Sequence, residues 1–221
     1  MKKLINFVFL LIFFSSCSSL VEMVSPDIKI LNSYKDISKQ SKIIKKSINL
    51  NNNFIQENIG SISDPLIFIK KSNGQIGTLR LYPGENVEET WYSADGVTVS
   101  LFNGELISTR GLGNDIMYTN IPRSLTFNER LQSPYKKSIH FLTTENKIQI
   151  ISFSCKMNRT MNNTSIEILE TTHYVTKFTE KCHYDKYQIK NKFWQNSKGV
   201  TLKSYQWHNK SDGYISITHL R

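Results

Sequence analysis

Three dipeptides, Asn73-Gly74, Asp95-Gly96 and Asn103-Gly104, each stand between short runs in which apolar and polar residues alternate. That spacing is what most limits the fold. A two-residue hairpin turn that matches the twist of its strands needs positive φ at both central positions, and Asn-Gly and Asp-Gly supply it with least strain. Lys198-Gly199 and Asp212-Gly213 add two further turns. The runs between turns read as strands at Leu66–Lys70, Gln75–Tyr82, Glu88–Ser93, Val97–Phe102 and Leu106–Thr109. Further on come Ser138–Thr144, Lys147–Ser154, Ser165–Leu169, Tyr174–Glu180, Lys192–Gln195, Val200–Trp207 and Tyr214–His219. Each is short, rich in β-branched or aromatic residues and bounded by turn chemistry. Nothing alternates strand with helix, so the expected body is all-β: a single antiparallel meander closed as a barrel or folded as a sandwich. A chain of 221 residues with 39% apolar content can bury such a core. Gly113–Lys137, with Pro122 and Pro134, lacks alternation and is expected to hold a short helix or a long loop.

The beginning of the chain follows another rule. Lys2 and Lys3 precede an apolar run from Leu4 to Phe14, broken only by Asn6, and Ser15 and Ser16 end it. This is the pattern of a secretory signal, about half the length needed to span a bilayer. Phe14-Ser15-Ser16-Cys17 is similar to a bacterial lipobox, so Cys17 is the expected lipidation site, with Phe14 where Leu is usual. No Asp follows the cysteine, which points to the periplasmic face of the outer membrane. Two or more acyl chains hold a protein stably at a bilayer. The segments are then a signal peptide (1–16), a lipidated tether (17–26), one or two short amphipathic helices (27–53) and the β domain (54–221). The signal carries two lysines and no acid, so its removal lowers the net charge from +10 to +8. In the periplasm a basic surface meets anionic polysaccharide and lipid head groups, not nucleic acid. The charge also accompanies an abundance of Asn, Ile and Lys that compositional bias alone produces.

With Cys17 assigned to lipid, Cys155 and Cys182 remain as a pair, and an exported protein is expected to join them as a disulfide. No metal site or cofactor motif stands out: the cysteines lack C-x-x-C spacing and His140, His173, His183, His208 and His219 are scattered. There is no nucleophile elbow, phosphate loop or H-E-x-x-H, so no catalytic residue is assigned and the chain is expected not to be an enzyme. Glu88, Glu89, Asp95 and Asp115 are the acids that a glycosidase reading would have to use. Trp91, Tyr92, Trp194, Tyr205 and Trp207 are candidate glycan contacts, because flat rings with polar handles stack on sugars. Aromatic residues on strands also build cores, and the alternation leaves both readings open.

Two stretches carry a resemblance. Trp91-Tyr92-Ser93-Ala94-Asp95-Gly96-Val97, followed by Asn103-Gly104-Glu105-Leu106-Ile107-Ser108-Thr109-Arg110-Gly111-Leu112-Gly113-Asn114-Asp115, resembles the YjbF/GfcB family of group 4 capsule and exopolysaccharide lipoproteins. In that family a Trp, a turn and a strand lead into a Gly, a strand, Thr and Gly-Leu. Asn191-Lys192-Phe193-Trp194, Gly199-Val200 and Ser204-Tyr205-Gln206-Trp207 are similar to its closing segment. The likeness runs from about Ile62 to the end, with Gly104, Thr109, Gly111 and Leu112 as motif positions and Glu105 where the family more often has a basic residue. The resemblance implies an all-β periplasmic lipoprotein that assists polysaccharide assembly or secretion, as a glycan-binding or scaffold component. Its expected partners are the outer membrane, anionic polysaccharide and polysaccharide export proteins. Docking of export proteins without glycan contact is the alternative, and glycan modification a more remote one.

Overall fold

Residues with period-two alternation become the walls of one sheet. The computed structural model describes residues 63–84, 87–143 and 147–220. Cys17, the tether and the expected helices of 27–53 lie outside the described residues. The strands are β1 (Leu66–Lys71), β2 (Ile76–Leu81), β3 (Glu89–Tyr92), β4 (Thr98–Phe102), β5 (Glu105–Arg110) and β6 (Ile116–Asn120). After a 3-10 turn at Glu129–Leu131 follow β7 (Tyr135–Leu142), β8 (Ile148–Ile168), β9 (Thr171–Tyr184), β10 (Tyr187–Gln195), β11 (Thr201–Asn209) and β12 (Gly213–His219).

All twelve strands join in one sheet in the order β5-β4-β3-β2-β1-β12-β11-β10-β9-β8-β7-β6, every neighbouring pair antiparallel. The β1–β12 pair, with Ile69 opposite Ile217, splices the two ends of the meander. The sheet therefore curls into a nearly closed barrel whose seam falls between the consecutive strands β5 and β6. The sandwich alternative does not occur. Inward positions alternate as the sequence pattern requires: Ile67 and Ile69 on β1, Val99 and Leu101 on β4, Ile215 and Ile217 on β12 are all buried.

Two departures from the sequence reading cancel in the strand count. Lys147–Ser154 and Ser165–Leu169 belong to the single strand β8, because the polar stretch between them, including Asn158-Arg159-Thr160 and Asn162-Asn163-Thr164, stays paired with β9 through register shifts around Met161. Bulges let a ladder continue where alternation lapses. Conversely, Gly113–Lys137 holds the strand β6 as well as the 3-10 turn. Only Ile116 and Thr119 of β6 are buried, which is too weak a pattern to read. Cys155 and Cys182 stand directly opposite on β8 and β9 and are joined as a disulfide.

Trp91 is 2% exposed and sits in the core, its ring edge-on to His219 with centroids 5.3 Å apart. Its indole N–H donates to Glu89 at 3.2 Å. Burial lowers the His219 pKa to about 4, against an ordinary 6.5, since the site cannot hydrate an imidazolium. The folded state refuses a proton that the unfolded chain accepts at pH 6.5. Stability is thus fully present above pH 6.5, falls as pH drops towards 4 and is level below it, by up to ~1.4 kcal/mol for each pH unit crossed. His219→Gln is expected to flatten that part of the stability curve in chemical denaturation series between pH 4 and 7. Parallel curves for the two proteins would contradict it.

Candidate functional site

Antiparallel alternation brings the turns that follow the odd-numbered strands to one end of the barrel. There the half-buried Trp207 packs edge-on against Phe141 and Phe153, at 5.9 and 5.8 Å between centroids. Two adjacent clefts share this indole. One, of ~330 Å³, is lined by Phe153, Tyr184, Tyr187, Gln188, Trp207 and Tyr214. The other, of ~250 Å³, is lined around the same ring by Asn114, Gln149, Lys210 and Ser211. Lys210 places its ammonium 4.5 Å from the Tyr187 ring centroid. Flat aromatic walls with amide and hydroxyl groups converging on them suit the apolar faces and hydroxyl rims of sugars.

The five aromatic candidates do not form one site. Trp91 is a core residue and not a glycan contact: its ring faces the interior and a ligand cannot reach it. Tyr92 lies on β3, half-buried and edge-on to Tyr82, apart from the others. Trp194 and Tyr205 lie among lysines on the outer face of β10 and β11, whereas Trp207 on β11 packs against the core residues Phe141 and Phe153. Tyr205 stacks on Tyr214, with centroids 4.6 Å apart and planes 5° apart, and Tyr214 also lines the first cleft.

A second constellation spans the interior behind the seam. Gln206 reaches from β11 to the edge strand β5: its side-chain N–H donates to the Gly104 carbonyl at 2.8 Å and its oxygen accepts from the Leu106 amide at 2.9 Å. Thr201 donates to the Asn103 carbonyl at 3.1 Å. Thr109 accepts from the Ile116 amide of β6 at 3.0 Å, so one hydroxyl bridges the two edge strands. Asp115 takes the Thr109 hydroxyl proton at 2.8 Å and the Gly111 and Leu112 amides at 2.8 and 3.1 Å, and thereby fixes the β5–β6 loop. Lys71 donates to the Leu112 carbonyl at 2.5 Å.

Thr109, His208 and Asp212 have the outline of a nucleophile, base and orienting acid. The hydrogen bonds give them another role. Since Thr109 donates to Asp115, its oxygen accepts from Nε2–H of His208 at 3.1 Å, leaving Nδ1 to accept from Asn209 at 2.7 Å. That is the reverse of a base awaiting the hydroxyl proton. Burial, helped by Lys71 and opposed by Asp212 and Asp115, lowers the His208 pKa and keeps the ring neutral. Thr109 and His208 are 1% and 0% exposed, closed to any substrate.

Deeper still, Glu105 pairs with Arg130, and Lys137 lies 3.6 Å from Glu105 and 3.0 Å from Glu180. Glu180 also accepts from Tyr135 and Asn191, each at 2.6 Å. Lys137 and these two donors hold its carboxyl below the usual range despite burial, while the Tyr135 hydroxyl is pushed up by burial and by Glu180. Among the described residues one group could gather three metal-ligating atoms, Cys155, Glu180 and Cys182. Its two sulfurs are committed to the disulfide and its carboxylate to the donors just named.

Family comparison gives this geometry a context. The family described as group 4 capsule polysaccharide lipoprotein, GfcB and YjbF, matches residues 42–220. The chain belongs to the YjbF family. Among solved structures, the lipoprotein YmcC of Escherichia coli K12 is similar at 16% identity over 81% of this chain and 93% of that one, with a TM-score of 0.65, a likeness of fold. An exported protein of Bacteroides fragilis with a YmcC-like fold shares 14% identity over 72% of this chain and 93% of its own, at a TM-score of 0.36. No curated protein matches the chain.

The segments through which the sequence resembles the YjbF family are the two halves of the constellation behind the seam, a clasp of β11 side chains on β5 and the turn before it. Gly104, Thr109, Gly111 and Leu112 come from one, Ser204 and Gln206 from the other, and they meet to close the barrel. As a YjbF-family lipoprotein the chain is an envelope protein tied to capsule polysaccharide, and its motif builds the barrel that carries the clefts. Sequence reasoning missed Tyr184, Tyr187 and Tyr214. A usable signal existed for the first two, which flank the two-residue turn Asp185-Lys186 and pair across it.

Proposed function

We propose that this chain is a non-catalytic component of capsule or exopolysaccharide assembly or secretion, anchored through Cys17 at the periplasmic face of the outer membrane, and that it holds glycan at the barrel end around Trp207. The pair of clefts sharing that indole carries the reading. Two open, aromatic-walled recesses on one ring suit consecutive sugars of a chain better than one small molecule.

The test is calorimetry of the full chain in detergent with the surface polysaccharide of its own source. Saturable binding is expected, weakened at least tenfold by Trp207→Ala. Because Trp207 also packs on Phe141 and Phe153, Tyr187→Ala serves as the second variant: its ring is 44% exposed, so it should weaken binding several-fold while leaving the melting temperature in place. Absence of saturable binding would overturn the reading and favour protein docking. Leu142, Ile148 and Ile150, exposed at 45%, 66% and 54% on the β7–β8 hairpin, form an apolar surface for that role.

A further inference from the structure

The outer face of β9, β10 and β11 has a charge pattern that the barrel itself does not require. Strands β9 to β12 contain five lysines, Lys177, Lys181, Lys190, Lys192 and Lys203, and one carboxylate, Glu180, which points inward and is buried. None of the five pairs with an acid among the described residues.

These lysines frame rings. Trp194 stands opposite Lys177 on one neighbouring strand and Lys203 on the other, and their ammonium groups lie 5.3 and 5.8 Å from its ring centroids. Two residues along β10, Lys192 stands opposite Tyr205, 5.6 Å from its ring. Tyr205 stacks on Tyr214, whose hydroxyl accepts from the Lys190 amide at 3.0 Å and whose ring lines the Trp207 cleft. Rings and ammonium groups therefore alternate from Trp194 to the barrel end without interruption by a carboxylate. Lysine stems lie along the rings while their heads stay hydrated at the rim. Lys177 and Lys203 are two strands apart, about 10 Å at the backbone.

We infer that this face is a track for a polyanionic glycan, leading an acidic sugar chain across Trp194 and Tyr205 into the Trp207 cleft; the inference rests on the glycan reading above and names its substrate class. The rings, their faces taken by Tyr214 and by the lysines, hold the ammonium groups in line, and each ammonium is a partner for a carboxylate or phosphate of the sugar chain. A lipid surface would instead call for protruding aliphatic side chains to insert among acyl tails. Here the rings are half-buried, and the most exposed aliphatic cluster, Leu142, Ile148 and Ile150, lies on β7 and β8.

The experiment compares polygalacturonate oligomers with the same oligomers methyl-esterified to neutrality, bound to the full chain in detergent. The wild type is expected to prefer the charged oligomer at least tenfold, and to lose that preference between about 50 and 500 mM salt as screening shortens the reach of the ammonium groups. K177Q/K192Q/K203Q keeps the stems and the fold, which an unchanged melting temperature would verify, and is expected to bind both oligomers alike. Equal wild-type affinity for both oligomers, or a preference that survives the triple substitution, would overturn the track and leave the cleft standing, because esterified-oligomer binding and its sensitivity to Trp207→Ala report on the cleft alone. Binding of neither the oligomers nor the native polysaccharide would overturn both. Tighter binding to phosphatidylglycerol in mixed micelles, lost in the triple variant, would overturn the glycan as occupant and assign the face to lipid.

Discussion

Gly104→Ala is expected to cost about 3–5 kcal/mol of stability and to lower the melting temperature by about 10 °C or more. Two effects combine at this residue. Its φ is +80°, a left-handed conformation in which a side chain is strained, and a Cβ built there would lie 2.3 Å from the Thr201 Cβ and 2.6 Å from its hydroxyl oxygen. Neither atom can swing aside: Thr201 is held on β11 next to Gly104 by its bond to the Asn103 carbonyl, and Gly104 is held by Gln206. The control is Gly74→Ala, where φ is +88° but nothing lies within 4 Å of the new methyl. Only backbone strain acts there, so the loss should be about 1 kcal/mol. Combining Gly104→Ala with Thr201→Gly removes the clash and should restore part of the difference. Equal melting temperatures for the Gly104 and Gly74 variants would show that the clasp does not hold the edge strand at this point.

That contrast also shows what the residues disclose and what they withhold. Asn103-Gly104 announces a hairpin in the bare sequence, and so do the other Asn-Gly and Asp-Gly pairs, because positive φ is a local demand that few residue types meet. What the turn packs against is set by Thr201, 97 positions away, and no local pattern carries that. β6 was illegible for a similar reason: it closes the barrel through Thr109 and Arg110 side chains, the latter donating to the Ile116 carbonyl at 2.9 Å, so its sequence never needed a regular apolar face. Among the aromatic residues, type was legible and placement was not. Trp91 and Trp194 look alike in alternating strands, yet one strand buries its ring against His219 and the other turns it outward between lysines. The lysines around Trp194 gained meaning only when pairing register set three strands side by side.

Lys137→Met is expected to destabilise the barrel by about 3–5 kcal/mol at pH 7, a cost typical of breaking a buried charge pair. In the native interior two carboxylates, Glu105 and Glu180, are balanced by Arg130 and Lys137, all 4% exposed or less. Methionine fills the space of the lysine stem and removes only its charge, so two carboxylates then face one cation. The second Glu105 oxygen is vulnerable, since it has no hydrogen-bond partner and relies on Lys137 at 3.6 Å. In the wild type burial raises the Glu105 pKa, whereas the lowered Glu180 pKa contributes stability above the ordinary carboxylate range that is lost as pH falls from that range through the lowered pKa. In the variant a carboxylate without its cation takes up a proton more readily, so its penalty is largest at high pH and shrinks as pH falls. The two stability curves should therefore converge towards pH 4–5, and adding Glu180→Gln should recover much of the loss at pH 7 by restoring neutrality. Parallel curves would mean that Lys137 acts through packing alone. Glu105 stands on the edge strand β5, Lys137 on β7 and Glu180 on β9, so the charges tie the free edge to the far wall of the barrel. Faster amide exchange at Leu106 than at Ile69 in the variant would then locate the damage at the seam, where the family motif and the charge network act on the same strand.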